Sequence, residues 1–313
     1  MAIWGQGFKV ASILSVVGST VPGMTKSRSR KKGRPASHSS AVDLVRLRRG
    51  IPVGRTGTRV RLAVESDQPA VRAFLCQAMD KSPTADPGHV PTVCPTIEAA
   101  LQGGQQAFTR ELATLLFHRE AEAPVSFALV AEDPSGQPVG AVVCAPPYKL
   151  IADYVTAVRP DLRPQVEMQG LLGLSKVIGV AVDPSTRGQG VGTELVLTAE
   201  QVLSRCGTFV MYGNCAPAVA PFYQQMGFDL LPVGQPINLW VVFGFNAWAS
   251  DPNMQIFSRS LRPDRPRETL TSGPARVTYL TKAAGLSRRR IEPNCTPALN
   301  SVMQCLRSTR GRP

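Results

Sequence analysis

Histidine is scarce in this chain of 313 residues: His38, His89 and His118 are the only three. None stands by a cysteine cluster, and no C-x-x-C pair occurs, so the sequence offers no structural zinc site. The seven cysteines, Cys76, Cys94, Cys144, Cys206, Cys215, Cys295 and Cys305, are odd in number and scattered. That usage fits reduced thiols in a cytoplasmic protein and argues against a disulfide framework. Long hydrophobic runs are missing too. No stretch approaches the ~18 apolar residues of a membrane span. "VASILSVVG" near the start resembles the apolar part of a signal peptide, but apart from Lys9 the basic residues follow it instead of preceding it. Met24 is an alternative start, and no internal repeat is evident.

Negative charge is short at both ends. Residues 1–60 carry 12 Lys/Arg against one Asp, and residues 251–313 carry 12 against 4 Asp/Glu. Residues 61–250 reverse the balance, with 11 Lys/Arg against 17 Asp/Glu. The net charge of +13 therefore belongs to the ends, and the middle is mildly acidic. A folded nucleic-acid-binding domain carries its positive patch on its own surface, so the middle is not of that class. The ends can still contact nucleic acid or another polyanion non-specifically. Their Ser, Gly, Pro and Arg content lacks an apolar period. We therefore expect a disordered basic extension over 1–57, a folded domain over 58–250 and a mostly disordered Arg/Pro-rich tail over 251–313, in which "LNSVMQCLR" reads as a short helix.

Strands and helices alternate in the middle. Val60, Leu62 and Val64 alternate as in a strand, and "SDQPAVRAFLCQAM" follows as a helix, with Ser66 at its cap and Val71, Phe74, Leu75 and Met79 on one face. Residues 81–95 read as a Pro-rich loop. "TIEAALQGGQQAFTRELATLLFHRE" reads as a helix interrupted at Gly103 and Gly104. "VSFALVAEDPSGQPVGAVVCAPP" reads as a hairpin with strands at 125–132 and 138–145. Residues 146–173 hold one or two short helices, and "KVIGVAVDP" is a strand. Leu195, Ala199, Val202 and Cys206 form the apolar stripe of a helix that Gly207 ends. "TFVMYGN" is a strand, "APAVAPFYQQMGF" a short helix and turn, and "INLWVVFGF" a last strand. The class is α/β or α+β with a mixed sheet.

"RGQGVG", residues 187–192, stands between a strand and a long amphipathic helix. It is not a P-loop, because no Lys-Ser or Lys-Thr follows. It is not a dinucleotide fingerprint either, because Thr193 stands where the third glycine belongs. What remains is R-x-x-G-x-G at Arg187, Gly190 and Gly192, opening a helix. Free backbone amides at a helix N-terminus, with the helix dipole behind them, bind a pyrophosphate. Gly190 and Gly192 allow close approach and unusual φ, and Arg187 adds a cation.

"VIGVAVDPSTRGQGVGTELV" resembles the acyl-CoA motif of the GNAT superfamily of acetyl-CoA-dependent N-acetyltransferases, and "NCAPAVAPFYQQMGF" resembles that family's Asn…Phe-Tyr-x-x-x-Gly-Phe stretch two elements later. The resemblance covers roughly residues 58–246. It implies a mixed, mostly antiparallel sheet flanked by helices and splayed at the fourth strand. In that gap the pantetheine arm of acetyl-CoA would pair with backbone near Val180, Ala181 and Val182. The pyrophosphate would sit on Arg187, Gly188, Gln189, Gly190, Val191 and Gly192, and no metal would be needed. An amine acceptor, small molecule or protein, would enter from the opposite side and attack the thioester directly, with Tyr223 protonating the departing thiolate. Asn214 would touch the cofactor or cap the following helix. The general base is open among Asp153, Glu167, Glu98, Glu111 and water. Asp183 lies at the loop, and Cys215 reads as a buried thiol. The chain is expected to be a cytoplasmic monomer or homodimer without membrane contact. The alternative is a non-catalytic acyl-CoA sensor whose basic ends bind polyanions.

Overall fold

The structure, a computed structural model, describes residues 42–80, 94–118, 125–244, 247–249 and 251–261. The extension before residue 42, the Pro-rich loop over 81–93 and the tail from residue 262, with its expected short helix, lie outside the described residues.

Among the described residues, ten strands and eight α-helices follow one another. The strands are β1 (Ile51–Pro52), β2 (Arg59–Leu62), β3 (Phe127–Glu132), β4 (Pro138–Ala145), β5 (Leu174–Val182), β6 (Val210–Cys215), β7 (Asp229–Leu230), β8 (Ile237–Asn238), β9 (Trp248–Ala249) and β10 (Gln255–Ser260). The helices are α1 (Leu44–Arg49), α2 (Gln68–Ala78), α3 (Pro95–His118), α4 (Tyr148–Ala157), α5 (Arg163–Gly173), α6 (Val191–Cys206), α7 (Ala220–Gln225) and α8 (Trp240–Phe243). Eight strands form one sheet in the order β1-β2-β3-β4-β5-β6-β10-β7, and β8 pairs with β9 apart from it. Every neighbour in the large sheet is antiparallel except β5 and β6. The mixed, mostly antiparallel sheet expected from the sequence is present.

Local chemistry explains most elements. In the β3–β4 hairpin, Asp133 Oδ1 accepts from the amides of Ser135 and Gln137, so one side chain organises the turn. The α6 stripe of Leu195, Ala199, Val202 and Cys206 is buried, and Gly207 ends the helix at φ 78°. Along α3, Gly104 leaves the helical region at φ 69°, ψ −161°, where the two glycines had suggested an interruption. On α2, Val71 and Leu75 are buried, and Phe74 and Met79 pack beside them. The cap position before α2 belongs to Asp67 and not Ser66, because a 3-10 turn over Glu65–Asp67 precedes the helix.

Three expectations fail. Residues 42–57 are not a featureless extension: Asp43 accepts from the Arg46 amide to start α1, which buries Leu44 and Leu47 before the chain turns into β1. The last sheet strand is β10, inside the stretch read as a tail, and it is held there by Phe257 and by the buried pair Arg259–Glu200. "INLWVVFGF" is not a single strand. It makes the short strand β8 and then the helical turn α8, whose Val242 packs on Gly173 of α5 and whose Phe243 ring lies 5.5 Å from Tyr154. A continuous apolar run carries no period that separates these outcomes.

Helix α2 covers one face of the sheet at β4 and β5, and α6 covers the other. Strand β5 is where the sheet opens. Its parallel pairing with β6 runs only from Leu174↔Val210 to Val177↔Gly213, while β5 continues to Val182 with β4 alone as partner. β10 pairs with β6 along its whole length on the other edge, so beyond Gly213 β6 keeps β10 as its strand partner. A β-bulge at Ile178 marks the point of departure, since Cys144 pairs with Val177 and Val143 with Gly179. Gly213 is required at the fork. A Cβ there would stand 2.3 Å from the Phe257 ring and 3.0 Å from the Val177 carbonyl oxygen.

Candidate active site

The open end of β5 delivers the chain into the glycine loop. Asp183 starts a 3-10 turn, its carboxylate accepting from the amide of Ser185 at 2.8 Å and from its hydroxyl. The Ser185 hydroxyl and amide hold the Asp183 carboxyl below its ordinary range. Asp183 Oδ1 is committed to shaping the turn. Gly188 and Gly190 then take φ of 77° and 86°, with nothing within 4 Å of where a Cβ would stand. The left-handed positions are thus Gly188 and Gly190. Gly192 lies in the first turn of α6 and would meet Phe222 and Val182 at 3.5 Å, an ordinary contact, so its reading as a site of unusual φ is corrected. Arg187 is exposed and donates from Nε to the Val182 carbonyl oxygen at 3.2 Å.

From Arg187 to Thr193 no backbone amide donates to another described residue. The first amides of any helix lack intrahelical acceptors, and here the glycine loop adds further free donors ahead of a sixteen-residue helix. The row is exposed except at Val191 and the partly covered Gly192 and Thr193. It is an anion cradle by construction. Val180, Ala181 and Val182 pair with Val142, Ala141 and Gly140 on one edge, and their other edge faces the fork without a strand partner. A linear ligand with amides can pair along that edge, so the residues present fit both the pyrophosphate and the pantetheine arm of a coenzyme A thioester.

Tyr223 on α7 reaches toward the fork. Its ring stacks on Phe257 at 3.5 Å and meets Phe222 and Phe228 edge-on. Burial, with Cys215 and Cys144 adding to it, pushes the Tyr223 hydroxyl well above its ordinary value of 10.0. It therefore keeps its proton as a donor. Cys215 is buried and its thiol is pushed up by burial, so no thiolate nucleophile forms there.

Asn214 is not a helix cap. The residue at the α7 cap is Val219, and Asn214 Nδ2 donates to Asp251 Oδ2 at 2.9 Å. Asp251 lies in the segment before β10 that sequence reasoning had assigned to the tail, and nothing local in the sequence pointed to it. Lys176 was also missed, although a visible signal existed: it is the single charge in the strand "LSKVIGVAV". It pairs with Tyr212 across the parallel ladder, on the face of the sheet away from Tyr223. Burial pulls the Lys176 ammonium below its ordinary 10.5, against the opposing charge of Asp251.

The carboxylates considered as general base are dispersed. Asp153 pairs with Lys149 on α4 at 3.4 Å, and Glu167 is exposed on α5. Glu98 pairs with Arg48 at 2.7 Å on α3, which also carries Glu111 and packs on α6. None is brought to the fork by the contacts it makes. Among the described residues no group of three or more His, Cys, Asp or Glu is arranged to hold a metal ion, and no helix is long and apolar enough to cross a membrane.

No curated protein sequence matches this chain. Among solved structures, it is similar to a GCN5-related N-acetyltransferase from Kribbella flavida at 15% identity, covering 66% of this chain and 99% of that one with a TM-score of 0.38. It is similar to the Salmonella typhimurium protein yncA, solved with its cofactor acetyl-CoA, at 16% identity, covering 67% and 98% with a TM-score of 0.37. It is also similar to the GNAT family N-acetyltransferase YhbS from Escherichia coli in complex with CoA, at 18% identity, covering 68% and 87% with a TM-score of 0.36. The family model of the acetyltransferase (GNAT) domain matches residues 124–230, from the start of the β3–β4 hairpin through the glycine loop and α7 to β7. Over that segment the chain is similar to the GNAT acetyltransferase domain, which is the family its fold and glycine loop resemble.

Proposed function

We propose that this acyltransferase moves an acetyl group from acetyl-CoA to a primary amine by direct attack. The observation that carries the reading is the unpartnered amide row from Arg187 to Thr193 at the head of α6. The amides of Arg187, Gly188, Gln189, Gly190, Val191 and Gly192 receive the pyrophosphate, with the Arg187 guanidinium beside them. Val180, Ala181 and Val182 offer their open backbone edge to the pantetheine arm. On this reading the thioester lies in the fork between β5 and β6, with Tyr223 on one face and Lys176, Asn214 and Asp251 on the other. An amine arriving on the Lys176 face forms the C–N bond as the C–S bond breaks, the Tyr223 hydroxyl protonates the thiolate, and the proton lost from the amine nitrogen returns through water to restore the Tyr223 hydroxyl. Coenzyme A supplies the activated acyl group, and the chain's residues hold it, exclude water and move the proton. Asn214, which donates to Asp251, lies at the fork beside the thioester, where it touches the cofactor.

The acceptor's class is an amine, small molecule or protein. The five described cysteines are buried and none is in a disulfide, which supports a reducing, cytoplasmic setting. The basic ends contact polyanions without base specificity.

The test is thiol release from acetyl-CoA by the purified full chain against a panel of polyamines, amine antibiotics and peptides. Many turnovers with at least one amine are expected. Acetyl-CoA that binds in calorimetry but never turns over would favour a sensor over an enzyme.

A further inference from the structure

Lys176 is a primary amine with no assigned role, and its position is unusual. It sits one residue before the last rung of β5–β6 pairing and two before the bulge at Ile178, so it flanks the point where the strands part. Its rung partner Tyr212 and the next residue on the same face of β6, Asn214, line the same side. The titratable groups facing it are Tyr212 on β6, whose hydroxyl burial pushes up and which feels Tyr154 of α4, and Asp251 before β10. The one carboxylate, Asp251, is engaged by Asn214 Nδ2 on one oxygen and by the Asn253 amide on the other. Lys176 itself makes no hydrogen bond or ion pair with any described residue. A partly buried ammonium that no described residue hydrogen-bonds is costly, and burial outweighs the charge of Asp251 in favour of the free amine. A desolvated lysine amine is a nucleophile.

We infer that Lys176 is a self-acetylation site: the amine already in the fork attacks the thioester of bound acetyl-CoA when no acceptor occupies that face. This rests on the acetyl-CoA reading above. The Lys176 Nζ lone pair forms the bond to the carbonyl carbon, the C–S bond breaks, and the proton lost from Nζ is matched by the one the thiolate gains. The products are Nε-acetyl-Lys176 and coenzyme A, with no oxidant or reductant involved. The reaction is stoichiometric, because an amide does not pass its acetyl group on. It leaves an uncharged, bulkier side chain where the acceptor amine must arrive.

The test incubates the full chain with acetyl-CoA alone and follows acetylation at each lysine by peptide mass spectrometry, while calorimetry measures acetyl-CoA binding on the same sample. Lys176 is expected to react at least about tenfold faster than exposed Lys149, because an amine held beside the bound thioester reacts at a high effective concentration. Excess coenzyme A should suppress the reaction at Lys176 and leave Lys149 unchanged. The variant Lys176→Arg should bind acetyl-CoA and lose the fast acetylation. Binding of acetyl-CoA with Lys176 no faster than Lys149 overturns the inference and leaves the acetyltransferase reading standing. Reaction at Lys176 that coenzyme A does not suppress is solution chemistry and overturns it as well. Failure to bind acetyl-CoA overturns both.

Discussion

At the scale of single residues, Tyr223 and Gly190 carry the sharpest expectations. Tyr223→Phe keeps the ring that stacks on Phe257 and removes only the hydroxyl. Its kcat should fall about 10²-fold, the low end for a proton donor, while the thermal midpoint and acetyl-CoA affinity hold. Because burial raises Tyr223 above 10.0, its proton is lost only at pH above that value, so it adds no descending limb to the rate profile below pH 10. A loss of affinity with kcat intact would assign Tyr223 to packing. Gly190→Trp costs about 1–2 kcal/mol for a side chain in the left-handed region and fills the cradle. It should abolish acetyl-CoA binding in calorimetry without unfolding the chain. Undiminished binding would place the cofactor elsewhere. The cradle residues were legible in the sequence because loop, glycines and helix are contiguous, and the chemistry of free amides follows from local spacing alone. Lys176 and Asp251 were not legible as a pair, because they meet only after β10 has returned across the sheet to β6, and no short-range pattern records that return.

At the scale of elements, β10 decides where the folded part ends. It pairs with β6 on one side and β7 on the other, stacks Phe257 on Tyr223, and buries Arg259 against Glu200, the Met226 carbonyl oxygen and the Phe228 ring. Deleting residues 251–313 should therefore abolish cooperative thermal unfolding, whereas deleting 262–313 should leave it in place. Equal behaviour of the two truncations would contradict the role given to β10. The strand was hard to read because Ile256 and Phe257 are a brief apolar pair beside Arg- and Pro-rich text, and because a buried arginine looks like any tail arginine until its partner is known. The β3–β4 hairpin and α6 were easy by contrast, since each carries a full period and its own stop signal.

A second element-scale expectation concerns the ion cluster at the other end of the sheet. Arg61 on β2 pairs with Asp67 and Glu132, each at 2.6 Å. Burial pulls the Asp67 carboxyl upward, but the Arg61 guanidinium and the Val64 amide outweigh it and leave it below its ordinary 3.8. The sign is that of a depressed carboxylate: its stabilisation is complete above 3.8 and is lost as pH falls through the lower folded value. Arg61→Met leaves a buried carboxylate unpaired and should cost about 3 kcal/mol at neutral pH in urea unfolding. The gap from the parent chain should shrink below pH 3.8. A gap that persists into strong acid would mean that packing, and not charge, was lost.

At the scale of the whole molecule, charge is divided between a mildly acidic middle and two basic ends. The charge of the middle suits a cationic amine, and that of the ends suits polyanions. If the ends act independently, binding to a non-specific DNA duplex should weaken steeply as salt rises, and acetyl-CoA binding should not follow the same slope. The fork and the amide row belong to the middle, and the account depends on them. The most direct measurement is an amide proton–nitrogen NMR spectrum of the isotope-labelled full chain during titration with coenzyme A. The amides from Arg187 to Thr193 should shift together and furthest, as they take up the pyrophosphate, followed by those of Val180 to Val182. Saturable shifts elsewhere, with residues 187–193 unmoved, would contradict the account at its centre.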